Sequence, residues 1–205
     1  MSTANPGNVN VSRTRVAIIG AGFGGLGMAH YLKQAGFDDV TIFEKKGVLG
    51  GVWRDNTYPG AACDVPSHLY SFSFETGYAW THRFARQPEI LAYQQHCAER
   101  HDLLRHIRFG HELTAARFDE ARAMWTLDFA DGAAVEADIV VSAVGQLHRP
   151  SIPEIPGADR FSGQVFHSAQ WPKALNLKGK RVAVIGTGAS AVQFVPEIAL
   201  QAAQV

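Results

Sequence analysis

The sequence predicts an α/β fold: a parallel sheet covered by helices, with a small antiparallel insertion and the start of a second unit of the same kind. Three observations carry this expectation. An apolar run over residues 15–19 stops at Gly20. A helical spacing follows through Leu26, Ala29, Tyr31 and Leu32 and ends at Gly36. A second apolar run over residues 40–43 terminates on Glu44, which completes strand, helix and strand within about thirty residues. Strands that are continuously apolar, instead of alternating, belong to a sheet buried on both faces.

The remaining elements follow in order. Residues 47–73 are rich in Gly, Pro, Asp and aromatics and hold no sustained period, so this stretch is expected to be ordered by a bound ligand. Pro88 opens a helix expected to reach about Leu104, with Glu89 near its positive end. Strands are expected over 105–109, 113–118 and 124–129, with turns at Asp119-Glu120 and Asp131-Gly132. Val135 starts a short strand, and residues 139–144 form the clearest one, ended by Gly145. Pro150, Pro153, Pro156 and Gly157 mark a boundary, because the residue before proline avoids the helical region and no sheet interior tolerates such spacing. Beyond it a second strand-turn-helix is expected: strand 181–185, a turn from Gly186 to Gly188, and a helix from Ala189 to about Ala203.

Composition narrows the function classes. The chain has 205 residues, enough for one sizeable core or one domain with the beginning of another. Its 19 Lys plus Arg balance 19 Asp plus Glu, which argues against a nucleic-acid partner held by bulk electrostatics. Cys63 and Cys97 are too few for a disulfide framework or a four-cysteine metal site, and they suit a reducing, cytoplasmic setting. His30, His68, His82, His96, His101, His106, His111 and His148 show no zinc spacing, so no metal is expected. No apolar stretch approaches the roughly eighteen residues of a membrane span, and residues 1–12 read as a flexible polar leader.

The turn Gly20-Ala21-Gly22-Phe23-Gly24-Gly25 fits G-x-G-x-x-G between a strand and a helix. Gly20 makes the tight turn, Gly22 lets the backbone approach a pyrophosphate, and Gly25 allows the helix to pack closely on the strand. Phosphates would sit on the N–H groups of the helix terminus, beside Phe23. Glu44, at the end of the second strand, is placed to accept hydrogen bonds from ribose hydroxyls, and its charge would repel a 2′-phosphate. The first ligand is therefore FAD or NAD.

The segment Gly50-Gly51-Val52-Trp53, followed by Tyr58-Pro59-Gly60 and Asp64, resembles the class B flavoprotein monooxygenases, the Baeyer-Villiger monooxygenases in particular. A second match is F-x-G-x-x-x-H-x-x-x-W-P, here Phe161, Gly163, His167, Trp171 and Pro172. A third, Gly186, Thr187, Gly188, Ala189 and Ser190 with Ala191 in the last glycine's place, is similar to that family's NADPH-binding turn. Ser142-Ala143-Val144-Gly145 departs from the family's usual A-T-G, since Val144 lacks the threonine hydroxyl.

The resemblance implies an FAD/NAD(P)-binding Rossmann-like fold laid out as an FAD-binding portion over 13–150, a linker over 151–178 and the start of an NADPH-binding domain over 179–205. It implies FAD contacts from Gly51, Val52 and Trp53, a backbone contact to adenine from Leu113, and Tyr70 near the flavin. Core packing stays open as the reading of Trp53 and Tyr70. Asp64 is implied to lie near flavin and nicotinamide and to orient an arginine; a loop-capping role is its alternative. His167 reads as a structural or conformational residue of the linker and not as a general base, and Cys63 reads as a small buried hydrophobe.

The activity implied is oxidation by NADPH, FAD and dioxygen of a small-molecule ketone to an ester or lactone, or oxygenation of a heteroatom substrate. N- or S-oxygenation and a non-catalytic FAD-binding fragment are the alternatives; a plain NAD-dependent dehydrogenase leaves FSGQVFHSAQWP unexplained. Against the family pattern the chain reads as incomplete. The basic residues for a 2′-phosphate, the arginine partner of Asp64 and a C-terminal return are all missing, so weak or absent turnover is expected of 205 residues alone. The last helix would carry Ala191, Phe194, Val195, Ile198 and Ala199 as an apolar face with little to cover it, open to association with missing C-terminal sequence.

Overall fold

The computed structural model describes residues 11–205, which fall into two compact units. The first comprises residues 11–51 and 94–145, the second 52–93 and 146–205. The leader expected over 1–12 lies, up to residue 10, outside the described residues, and Val11–Arg13 form a 3-10 turn.

In the first unit, β1 (Val16–Ile19), β2 (Val40–Glu44), β3 (Ile107–Phe109) and β7 (Ile139–Ser142) make a parallel sheet in the order β3-β2-β1-β7. Helix α1 (Phe23–Gln34) joins β1 to β2. A second sheet is antiparallel, with β4 (Leu113–Asp119), β5 (Met124–Phe129) and β6 (Ala134–Ala137) in the order β4-β5-β6.

Every residue of β1 is buried, as its unbroken apolar run requires. The two faces are covered differently. Ala17, Ile19 and Phe43 pack against Leu127, Phe129 and Ala137 of the small sheet. On the opposite face Ile18 meets α1, since a Cβ added to Gly25 would stand 3.6 Å from Ile18 Cγ2. The expected cover by helices therefore holds on one face only; the antiparallel insertion forms the other, because period-2 strands with one apolar side need a partner as much as the parallel sheet does. Burying Leu127, which is 0% exposed, contributes on the order of 2 kcal/mol.

Asp138 is the single residue between β6 and β7. Its carboxylate accepts from the Arg15 backbone N–H at 2.8 Å and from the guanidinium at 3.0 and 3.1 Å. This clamp sets the register Val16↔Ile139.

The second unit is mostly irregular, with α2 (Val52–Asp55), the first half of α3 (Gln87–Arg100) and α4 (Ala189–Ala199). Helix α3 crosses the division between Tyr93 and Gln94. It stops at Arg100, short of the expected Leu104, because Asp102 adopts a left-handed φ of 53° and a 3-10 turn, Leu104–His106, follows. The stretch expected to be ordered by a bound ligand also bonds to the segments that follow it. Ser67 Oγ donates to His82 O at 2.7 Å and accepts from Ala85 N at 3.0 Å. Tyr93 Oη accepts from Phe72 N at 2.7 Å and donates to Glu75 O at 2.9 Å.

Two expectations for the last segment need correction. Residues 181–185 form no strand: the only ladder contact there is a bridge between Arg181 and Gln204. The segment has the composition of a strand, but among the described residues no strand runs beside it, and an apolar run alone does not make a sheet. The apolar face of α4 is also not left bare, since Phe194 and Ile198 are buried with Tyr58 and Ala61, and Trp171, Leu177, Val182 and Val184 pack around them. The helix ends at Ala199 instead of continuing to Ala203.

Candidate functional site

The first glycine-rich turn sits at the carboxyl end of β1, between the ends of β2 and β7, where a parallel sheet offers its ligand crevice. Gly20 has φ +107°, and a Cβ there would stand 2.6 Å from Ala143 O. A Cβ on Gly25 would stand 1.9 Å from Gly20 O, so the first turn of α1 lies directly on the strand end. Gly22 is the N-cap of α1, with no side-chain cap and no acidic residue in the first turn. Gly51, at φ +55°, faces it; a Cβ on Gly51 would lie 3.3 Å from Gly22 Cα. Two glycines thus line a helix N-terminus and keep side chains away from it, a cradle suited to a pyrophosphate.

Glu44 is only 4% exposed. One carboxylate oxygen accepts from Ala21 N at 2.9 Å and the other from Lys46 N at 2.9 Å. These bonds orient the carboxylate at the end of β2. Leu113 opens β4 half-buried against the Phe43 and Phe129 core, with a bulge between Leu113 and Ala115.

In the second unit Val52 opens α2, and Trp53 Nε1 donates to Tyr70 Oη at 2.9 Å with the rings edge-on at 5.7 Å. Burial, opposed in part by the Trp53 bond, holds the Tyr70 phenol above its ordinary pKa, so it stays protonated. Gln87 Nε2 donates to Trp53 O, a support that sequence reasoning missed because Gln87, just before Pro88, belongs to no motif.

Asp64 is exposed, and no arginine pairs with it among the described residues. Its neighbour Cys63 is 6% exposed, and burial pushes its thiol pKa up, as suits a packing residue and not a nucleophile. His167 Nδ1 accepts from Ala169 N at 3.1 Å and caps the 3-10 turn Ser168–Gln170, a structural task. Trp171 packs at 5.3 Å from Phe194.

The second glycine-rich turn has Gly186 at φ +111° and Gly188 as the N-cap of α4, again with no side-chain cap and no acidic residue in the first turn. Thr187 and Ala189 are exposed, and Ser190 is half-buried. Among the described residues no cluster of His, Cys, Asp and Glu could hold a metal, and no helix is long and apolar enough to cross a membrane.

A parallel sheet with a glycine cradle and an oriented acid at its carboxyl edge defines a dinucleotide-binding protein of the α/β class. Residues 13–205 match the flavin-binding monooxygenase-like family, and the chain belongs to it. It is 54% identical over 184 residues to a Baeyer-Villiger monooxygenase of Pseudomonas aeruginosa, covering 90% of this chain and 35% of that protein. It is 42% identical over 182 residues to the phenazine N-monooxygenase PhzNO1 of Lysobacter antibioticus, covering 87% and 34%. Among solved structures, OTEMO in complex with FAD and NADP superposes with a TM-score of 0.86 at 36% identity, covering 93% of this chain and 38% of that one. The chain spans about a third of the length of these relatives.

Proposed function

We propose that the chain is the cofactor-binding portion of a flavin-dependent monooxygenase that uses NADPH and dioxygen to convert a small-molecule ketone to an ester or lactone. The observation that carries this reading is the glycine cradle beside Glu44, in a chain that is 54% identical to a Baeyer-Villiger monooxygenase. FAD and NADPH, when bound, supply hydride transfer and oxygen activation.

The chain's own residues bind and orient. Gly20, Gly22, Phe23 and Gly25 present backbone to the FAD pyrophosphate, with Gly51 keeping the approach open. Glu44 accepts from the ribose hydroxyls, Leu113 offers backbone to adenine, and Val52, Trp53 and Tyr70 wall the flavin. Asp64 is the catalytic candidate: its exposed carboxylate would orient an arginine near the reacting centre. Gly186, Thr187, Gly188, Ala189 and Ser190 receive the NADPH phosphates at the start of α4. The domain division into an FAD portion, a linker and an NADPH portion belongs to the same reading. A cytoplasmic setting fits two buried cysteines that form no disulfide among the described residues.

A second reading, N-oxygenation, draws support from the phenazine N-monooxygenase relative. Both readings share the cofactor sites, so the first test is common to them. The purified chain is given FAD, freed of unbound cofactor and scanned for a flavin absorbance band. A retained band supports the cradle as an FAD site that closes on these residues alone, and its absence in a folded chain means that they are only part of the binding site. In an active protein containing this chain, Asp64→Ala is expected to lower oxygenated product per NADPH consumed; equal yields would remove Asp64 from the mechanism.

A further inference from the structure

The loop that carries Asp64 is fastened to α4 by one side chain. Gln193 Nε2 donates to Ala62 O at 2.9 Å, while Gln193 Oε1 accepts from Ala62 N at 3.4 Å and from Tyr58 Oη at 2.9 Å. The amide reads both polar groups of one peptide residue, as a neighbouring strand would. Its orientation is fixed by the backbone, since Ala62 N needs an acceptor and Ala62 O needs a donor.

The sequence is adapted to this contact. Gly60 adopts φ +78°, and a Cβ there would stand 2.8 Å from Gln193 O and 3.0 Å from Glu197 Cγ. A glycine is needed for the loop to come so close to the helix. On its other side the loop is bonded to the start of α3: Ala62 bridges Arg86, Cys63 N donates to Ala85 O at 2.9 Å, and Gln87 N donates to Ala61 O at 2.8 Å.

Position gives the clamp its meaning. Gln193 lies on the turn of α4 just after Gly188 and Ser190, and Ala62 lies two residues before Asp64. The apolar contacts of Tyr58 and Ala61 with Phe194 and Ile198 hold loop and helix together, yet such contacts are non-directional and tolerate sliding. The paired amide bonds are directional, so a shift of the helix start is passed to the Ala62 peptide.

We propose that Gln193 is a positioning residue through which a dinucleotide held at the 186–190 turn is sensed by the loop bearing Asp64. The proposal rests on the dinucleotide reading of that turn.

Hydrogen exchange on the full 205-residue chain, with and without NADP+, tests it. In the parent, NADP+ is expected to slow exchange both at 186–192 and at 58–64, the latter about tenfold, the scale of a typical coupling between sites. In Gln193→Leu the protection at 186–192 is expected to persist while the response at 58–64 disappears. Gln193→Glu keeps the acceptor and loses the donor to Ala62 O. Its response is expected to be weak at neutral pH and to recover as acid protonates the carboxyl and restores a donor. A merely structural pin would show no such NADP+-dependent recovery. Unchanged coupling in both variants, or protection at 186–192 without any at 58–64 in the parent, overturns the positioning role and leaves the nucleotide site standing. No protection at 186–192 in the parent overturns the nucleotide reading of that turn and this proposal with it.

Discussion

Gly25 and Ala191 hold the same position in two glycine-rich turns, and their surroundings are opposite. A Cβ on Gly25 would stand 1.9 Å from Gly20 O, whereas the Ala191 methyl packs among Phe194, Ile198 and their neighbours. The first turn follows a strand paired on both sides, and the second follows a segment with a single bridge. Gly20 is crowded by Ala143 O, while a Cβ on Gly186 or Gly188 would meet nothing within 4 Å. At Gly25 the need for glycine thus comes from the close seat of α1 on the end of β1 as well as from any phosphate. At Ala191 the described residues leave room for a methyl, which packs on the Phe194 and Ile198 cluster.

The largest test of this contrast is Gly25→Ala, expected to cost about 3 kcal/mol by overpacking and to abolish retained flavin. Urea unfolding measures it, and a cost below about 1 kcal/mol would erase the distinction between the turns. Glu44→Gln comes next, since it places an amide where two backbone N–H groups need acceptors, at an expected cost of about 2 kcal/mol. Ala191→Gly in the second turn should cost about 1 kcal/mol, the ordinary helix-propensity penalty; a larger loss would show that its methyl carries more packing than the comparison allows.

A pH series sharpens the first region further. Burial, and then the nearby His101, hold the buried His30 on α1 below the ordinary histidine value of 6.5. The unfolded chain thus takes up a proton at a higher pH than the folded one. The contribution is intact above pH 6.5 and is lost as pH falls from there through the lower folded value. Thermal melts between pH 7.5 and 5.5 should show this decline, and His30→Leu should flatten it. The smallest effect is Gly188→Ser. This N-cap has φ −70° and open space for a side chain, so a hydroxyl cap is expected to add a few tenths of a kcal/mol. Any destabilisation would mean that the second turn is as crowded as the first.

What was legible in the sequence was local. Gly20, Gly36 and Glu44 bracket β1, α1 and β2 because glycine punctuation and apolar period act over a few residues. The small sheet was legible for the same reason, through its turns at Asp119-Glu120 and Asp131-Gly132. What depended on distant partners was not. Residues 181–185 read as a strand on composition, but strand identity is conferred by a neighbour. The cover over Phe194 comes from Tyr58 and Ala61, and the Gln193 clamp spans 131 residues, with no periodic signal joining its ends. One trace was available: Gly60 in Tyr58-Pro59-Gly60 marks a close backbone approach, although nothing in the motif says to what. Of the site, the glycines and Glu44 were readable as a motif, whereas the Ala21 and Lys46 bonds that aim the carboxylate needed the fold.

The single-residue junction at Asp138 also orders events in time. The antiparallel ladder β4-β5-β6 is made of short-range contacts, the kind that close fastest. Strand β7 follows at once, whereas its partner β1 lies far back in the chain, with 123 residues separating Arg15 from Asp138. The hairpin ladder can thus serve as a carrier. Once formed, it delivers Ile139 to Val16 already aligned, and the Arg15 clamp latches the delivery. Weakening that latch with Arg15→Ala should slow the docking of β7 more than the assembly of the ladder.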